Sequence, residues 1–132
     1  MLRHGDDVTL VGCGVTVHEA LKAAETLAAD GIEARVVDCY SLKPIDGEAL
    51  AAAAEETGRI VTVEDHWPEG GLGEAVVSAL VEQGARADLT RLAVREMPRS
   101  GKPDELLAAY KIDAAAIAEA ARTLVHAGAP TR

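Results

Sequence analysis

The sequence has no phenylalanine and contains only one tryptophan and two tyrosines. Aromatic pairs therefore cannot fill its core, which must be built from alanine, valine, leucine and isoleucine. Such side chains favour closely packed, alanine-rich helices over a sandwich that depends on aromatic pairs. The 132 residues suffice to bury one core, and no linker or low-complexity tract divides them. We therefore predict a single domain over residues 1–132.

Positive charge is scarce and scattered. Thirteen Lys and Arg residues stand against 22 Asp and Glu, for a net charge of −9, which argues against non-specific binding to nucleic acid or to an anionic membrane face. No apolar run approaches the ~20 residues of a membrane span, and nothing resembles a signal peptide. Cys13 and Cys39 form no C-x-x-C pair and no cluster with histidine, so we expect no zinc site. The expected protein is cytoplasmic, with reduced, buried thiols.

Apolar periodicity alternates between two kinds of segment. Short β-branched runs at residues 8–11, 34–39, 59–64 and 89–94 predict four strands, and helical spacing follows each of the first three. Two short helices, opened by Pro103 and Asp113, close the chain before a tail that we predict to be disordered from about residue 127. This alternation indicates right-handed crossovers and a parallel sheet with helices on both faces. Thr16, with Glu19 three residues later, predicts a capping box at the first helix.

The segment after the third predicted strand concentrates acids, a histidine and the single tryptophan. Ligands and partners of parallel sheets usually lie at the carboxyl ends of the strands. One interpretation is catalytic, with Glu64 or Asp65 orienting His66 as a general base. The other is an interface, because Trp67 beside Pro68 forms a rigid apolar knob and the following glycines permit close packing. We favour the interface, whose candidate residues are Glu64, Asp65, His66, Trp67, Pro68, Gly70, Gly71 and Gly73.

Two weaker candidates for anion binding lie at other strand ends. Gly12, Gly14 and Thr16 fall where the first strand meets its helix, and free amides at a helix start attract anions. A tight turn is the alternative, because a lone G-x-G is a weak motif. Arg99 and Lys102, after the fourth predicted strand, either hold an anion or lie in a solvated connection. These residues leave a second possibility for the function of the chain, which is a small-anion or nucleotide-binding module.

The glycine-rich segment resembles the signature stretch of the transketolase carboxy-terminal domain. The matching residues are Val63-Glu64-Asp65-His66 and Gly70-Gly71-Leu72-Gly73-Glu74-Ala75. Residues 8–20 resemble the opening strand and helix of that domain, residues 41–46 the segment after its second strand, and residues 98–117 its closing stretch. The resemblance covers about residues 6–125 in unbroken order, which makes it far more specific than any one motif.

The resemblance implies a three-layer α/β/α fold with a mixed, mostly parallel sheet of about five strands. The family's domain opens with a short antiparallel edge strand, which would fall on Met1-Leu2-Arg3 here. The Trp67-Pro68 pair is also reminiscent of the carboxy-terminal domain in the beta subunit of 2-oxo acid dehydrogenases. A module of that enzyme class is therefore the alternative.

For function, the resemblance implies a transferase of the pentose phosphate pathway that moves two-carbon ketol units between sugar phosphates. Thiamine diphosphate and magnesium would belong to the other domains of a dimeric enzyme, since this sequence has no Gly-Asp-Gly motif. We therefore expect no catalytic, cofactor-binding or metal residue in this chain, which alone would be inactive. Its partners would be the remaining transketolase domains or subunit, and a homodimer through the Trp67 loop is a further hypothesis.

Overall fold

The computed structural model describes residues 1–128. Its elements follow the predicted alternation of strands and helices. They are β1 (Val8–Gly12), α1 (Val15–Ala29), β2 (Ala34–Asp38), α2 (Gly47–Thr57), β3 (Arg59–Val63), α3 (Leu72–Glu82), β4 (Asp88–Leu92), α4 (Pro103–Ala109) and α5 (Ala114–Ala127). Most of the tail predicted to be disordered lies outside the described residues. No helix within residues 1–128 is both long and apolar enough to cross a lipid bilayer.

The four strands form one parallel sheet in the order β2-β1-β3-β4. Val8 and Leu10 of β1 pack in a core with α1 and α5, whereas Val11 packs in a second core with α2 and α3. Helices therefore cover both faces, which confirms the three-layer fold. Burial on both faces also explains why the strands are nearly continuous apolar runs.

The predicted antiparallel edge strand is reduced to a single bridge between Arg3 and Val36. The Leu2 amide donates to the Val36 carbonyl (2.8 Å), and the Val36 amide donates to the Arg3 carbonyl (3.0 Å). Arg3 lies on the outer side of β2, but β1 begins at Val8 on its inner side. The intervening residues must cross the end of β2, so pairing cannot continue. The sheet thus has four strands and a bridge instead of about five strands.

The capping box predicted from Thr16 and Glu19 is wrong. Helix α1 begins at Val15, two residues earlier than an N-cap at Thr16 would imply, and no side-chain hydrogen bond caps it at Gly14. The buried Thr16 hydroxyl instead accepts from the Cys13 amide (3.0 Å) and lies 2.9 Å from the Val63 carbonyl. It therefore fastens the start of α1 to the end of β3, a contact between residues distant in sequence.

Glu19 caps a different helix. Its carboxylate accepts from the amide of Ala114 (2.9 Å), the first residue of α5, and from Lys22 Nζ (2.6 Å). Burial tends to raise the pKa of Glu19, but the hydrogen bonds from Lys22 and Ala114 outweigh it, so its pKa is lowered. The ionised side chain therefore links α1 to α5 and stabilises the folded state.

We expect Glu19→Gln to lower the free energy of unfolding at neutral pH by about 2 kcal/mol, because it weakens charge-assisted bonds at a largely buried site. A lowered folded-state pKa contributes stability that is fully present above the unfolded value of about 4.3 and is lost as pH falls through the folded value. The difference between wild type and variant should therefore shrink under acid. Urea unfolding from pH 7 to pH 3 measures it, with the exposed Glu25→Gln as control; a pH-independent difference would contradict this role.

Candidate functional site

Glu64 follows β3 and lies at the start of α3. Its side-chain oxygens accept from the backbone amides of Leu72 (3.0 Å) and Gly73 (2.7 Å). Glu64 is 3% exposed, and a carboxylate so buried needs such partners. The first-turn amides of a helix have no partner within the helix, and its positive end favours an anion. Glu64 therefore acts as a structural cap that attaches the loop to α3.

Two glycines make room for this carboxylate. A Cβ atom at Gly71 would lie 1.7 Å from Glu64 Oε1, and one at Gly73 would lie 2.6 Å from Arg91 Nε and 3.1 Å from Glu64 Oε2. Gly70 has a left-handed φ of 72°, which favours glycine, and its amide donates to Glu74 (2.8 Å). The glycine-rich sequence is thus explained by close packing inside this chain.

His66 lies at the surface, and its ring faces the backbone carbonyl of the next residue, Trp67. Its Nδ1 is 2.7 Å from the Trp67 carbonyl, which can only accept, so Nδ1 carries the proton. Glu64 Oε1 is 3.8 Å from the same nitrogen, beyond hydrogen-bond distance. Because both Glu64 oxygens accept from α3 amides, they do not orient His66 as the catalytic interpretation requires. The arrangement disfavours a general base oriented by Glu64.

Strand β4 and the residues directly after it hold the loop from the other side. The Arg91 guanidinium donates to the Pro68 carbonyl (2.5 Å), and the Val94 amide donates to the His66 carbonyl (2.9 Å). Pro68 is buried, whereas Trp67 remains 41% exposed. The loop thus holds its tryptophan partly in solvent. Sequence reasoning missed Arg91, although a lone cation inside an otherwise apolar strand pattern was a usable signal.

The carboxyl edge of the sheet is electronegative. Burial, and then the negative charges of Asp38, Asp65 and Glu64, raise the pKa of the Cys13 thiol. Burial also raises the pKa of Cys39 to about 11, with further contributions from Cys13 and nearby carboxylates. Both thiols are therefore protonated near neutral pH and are poor nucleophiles.

The negative charge at this edge of the sheet weighs against the anion site predicted at Gly12, Gly14 and Thr16. The Cys13 amide there already donates to Thr16, and the surrounding carboxylates would repel a phosphate. Arg99 and Lys102 lie in the loop after β4, and β3 separates β4 from β1. Both anion sites stay predictions. Among residues 1–128, no cluster of three or more histidine, cysteine or acidic side chains is arranged to hold a metal.

The family described as "Transketolase, C-terminal domain" matches residues 1–117. The chain is 52% identical over 124 residues to the transketolase of Mus musculus, covering 93% of this chain and 20% of that protein. It is also 52% identical over 121 residues to the transketolase of Homo sapiens, covering 91% of this chain and 19% of that protein. The chain therefore spans about a fifth of the length of these curated relatives.

Solved structures show the same fold. A split-gene transketolase, described as an inactive beta4 tetramer, superposes with a TM-score of 0.88 at 40% identity over 95% of this chain and 41% of that one. A transketolase from Pichia stipitis superposes with a TM-score of 0.69 at 21% identity over 95% of this chain and 17% of that one. The second likeness, at so low an identity, supports the fold alone.

Proposed function

The chain belongs to the transketolase carboxy-terminal domain family, and from this premise we propose that it is the supporting module of a transketolase. In that role it docks on the remaining domains or subunit and helps to hold them in their active arrangement. The complete enzyme transfers two-carbon ketol units between sugar phosphates. The relatives at 52% identity are transketolases, which disfavours the alternative of a 2-oxo acid dehydrogenase beta subunit.

The observation that carries this proposal is that Glu64 and Arg91 serve the internal structure of the chain. Glu64 holds the start of α3, and Arg91 holds the Pro68 carbonyl. The side chains that the loop leaves partly in solvent include the single tryptophan, a residue type enriched in protein interfaces. The module therefore presents a fixed shape to a neighbouring polypeptide.

The residues at the carboxyl edge do not fit the diphosphate group of thiamine diphosphate. Both Glu64 oxygens accept from backbone amides, and the charges of Asp38 and Asp65 act on the glycine turn that would have to cradle a diphosphate. A negative edge repels a diphosphate. We therefore propose that the cofactor is bound by the remaining domains.

We expect the isolated chain to show no ketol transfer from xylulose phosphate to ribose phosphate, and to restore activity when added to the polypeptide that carries the remaining domains. The related split-gene protein described as inactive in its beta4 assembly supports the first half. Trp67→Ala should weaken the association about 30-fold, because a central aromatic of an interface commonly contributes about 2 kcal/mol. Titrating the chain into the partner while measuring turnover gives both quantities.

The control is Val81→Ala, which removes an apolar side chain that is even more exposed than Trp67 (73% against 41%) and lies near the opposite end of α3. It should restore activity at the wild-type concentration. Turnover by the isolated chain would contradict the supporting role, and equal binding by the Trp67 and Val81 variants would contradict the interface.

A further inference from the structure

Tyr40 is exposed to solvent, although the chain has few aromatic residues. It follows β2 and is 86% exposed, although the sequence has only two tyrosines and one tryptophan. The other tyrosine, Tyr110, is engaged, because its hydroxyl accepts from the Arg99 amide (2.7 Å). An exposed aromatic with an apolar surface beside it is typical of a binding site.

Tyr40 borders a groove of about 490 Å³ between the end of β2 and the start of α2, which we call the Tyr40 groove. Its apolar walls are formed by Val37, Cys39, Pro44, Ile45 and Leu50. The loop is shaped by its own bonds, since Ser41 Oγ donates to the Pro44 carbonyl (2.6 Å) and Asp46 caps α2 by accepting from the Ala49 amide (3.0 Å). The groove is therefore preformed, which lowers the entropy cost of binding.

Two carboxylates line the same groove. Asp38 is half-buried and Asp46 is exposed, and their charges both act on the thiol of Cys39 between them. In the described part of the chain neither carboxylate forms an ion pair, and Lys43 of the same loop pairs with neither. The groove thus combines apolar walls with uncompensated negative charge.

We propose that the Tyr40 groove binds a segment of the remaining transketolase domains in which an apolar side chain lies next to a lysine or arginine. The inference rests on the proposed function. The apolar side chain would fill the groove beside Tyr40, and the cation would lie against Asp38 and Asp46. A second copy of this chain is a poor occupant, because it carries a net charge of −9. This chain matches only about a fifth of the length of the transketolases of Mus musculus and Homo sapiens. The segment would come from the part of the enzyme that corresponds to the remaining four fifths.

The test measures binding of this chain to the polypeptide that carries the remaining domains, by titration calorimetry at low and high salt. Tyr40→Ala should raise Kd at least about tenfold, as for an aromatic anchor. The double variant Asp38→Asn with Asp46→Asn should raise Kd at low salt and flatten its salt dependence, because screening acts on charge pairs. Asparagine keeps the cap of α2, so α2 should stay folded.

Matched controls separate the groove from general effects. Glu48→Gln removes an exposed charge from the same helix, α2, outside the groove lining, and should leave Kd and its salt dependence unchanged. Circular dichroism checks that every variant is folded. Groove variants that bind within twofold of wild type, while Trp67→Ala binds weakly, would overturn the inference and leave the proposed function standing.

Two further outcomes would also overturn the inference. If the wild-type chain does not bind the remaining domains, that result contradicts both the inference and the proposed function. Sedimentation that shows wild-type self-association, lost in Tyr40→Ala, would assign the groove to a second copy of this chain instead.

Discussion

Glu64→Gln is expected to lower the free energy of unfolding by about 3 kcal/mol, among the largest effects of any single polar substitution in this chain. The carboxylate is 3% exposed and accepts from two amides, those of Leu72 and Gly73. Glutamine keeps one accepting oxygen but turns an NH₂ group toward the second amide, so two donors face each other in a buried site. Urea unfolding followed by circular dichroism measures the loss.

Glu74→Gln provides the matched control. Glu74 also accepts from a backbone amide of the same loop, that of Gly70 (2.8 Å), but it lies in solvent. Water can replace its bond, so its loss should cost less than about 1 kcal/mol. The emission of Trp67, the single tryptophan, should shift in Glu64→Gln because the loop loses its attachment to α3. Equal effects of the two substitutions would show that Glu64 is not a buried cap.

Gly71→Ala is expected to be still more damaging, with a loss of about 4 kcal/mol. The new Cβ would lie 1.7 Å from Glu64 Oε1 and 3.0 Å from His66 Nδ1, so the carboxylate must leave its place. Overpacking alone costs about 1–3 kcal/mol, and the displaced carboxylate also loses its charge-assisted bonds to α3. Thermal and urea unfolding measure the loss.

Gly47→Ala is the control glycine substitution. Its Cβ would meet only the flexible side chain of Gln83 (3.2 Å) at the start of α2, and alanine favours helix. The free energy of unfolding should therefore stay within about 1 kcal/mol of wild type.

Should Gly71→Ala fail to fold, the clash can be tested in the Glu64→Ala background. Without the carboxylate, Gly71→Ala should add less than about 1 kcal/mol to the loss caused by Glu64→Ala, a strong departure from additivity. Additive losses would show that the clash with Glu64 is not the cause.

The sequence predicted which segment forms the candidate interface, but it did not predict the contacts that each residue of that segment makes. The motif from Glu64 to Gly73 follows a strand end, as expected, and Trp67 is partly exposed. Glu64, grouped with the interface residues by sequence, is instead buried under α3. Its role depends on amides eight and nine residues away, and a strand-and-turn pattern does not specify which way a side chain will turn.

Contacts between elements account for the other differences. Thr16 bonds the carbonyl of Val63, 47 residues away, and Glu19 caps a helix 95 residues later. Local spacing made both look like one capping box, because the pattern of a threonine followed by a glutamate is the same whichever amides the two side chains meet. The bond from Arg91 to the Pro68 carbonyl and the Tyr40 groove could not be predicted for the same reason, since each depends on which strand or helix lies beside it.

The sequence by itself determined the alternation of strands and helices, the parallel sheet covered on both faces and the family. These follow from apolar periodicity and from motifs that lie close together along the chain. The tertiary structure alone decided which carboxylates became buried caps, which stayed free at the carboxyl edge, and which aromatics remained in solvent. The physical reason is that burial and hydrogen-bond partners are set by neighbours in space, and crossover connections make those neighbours distant in sequence.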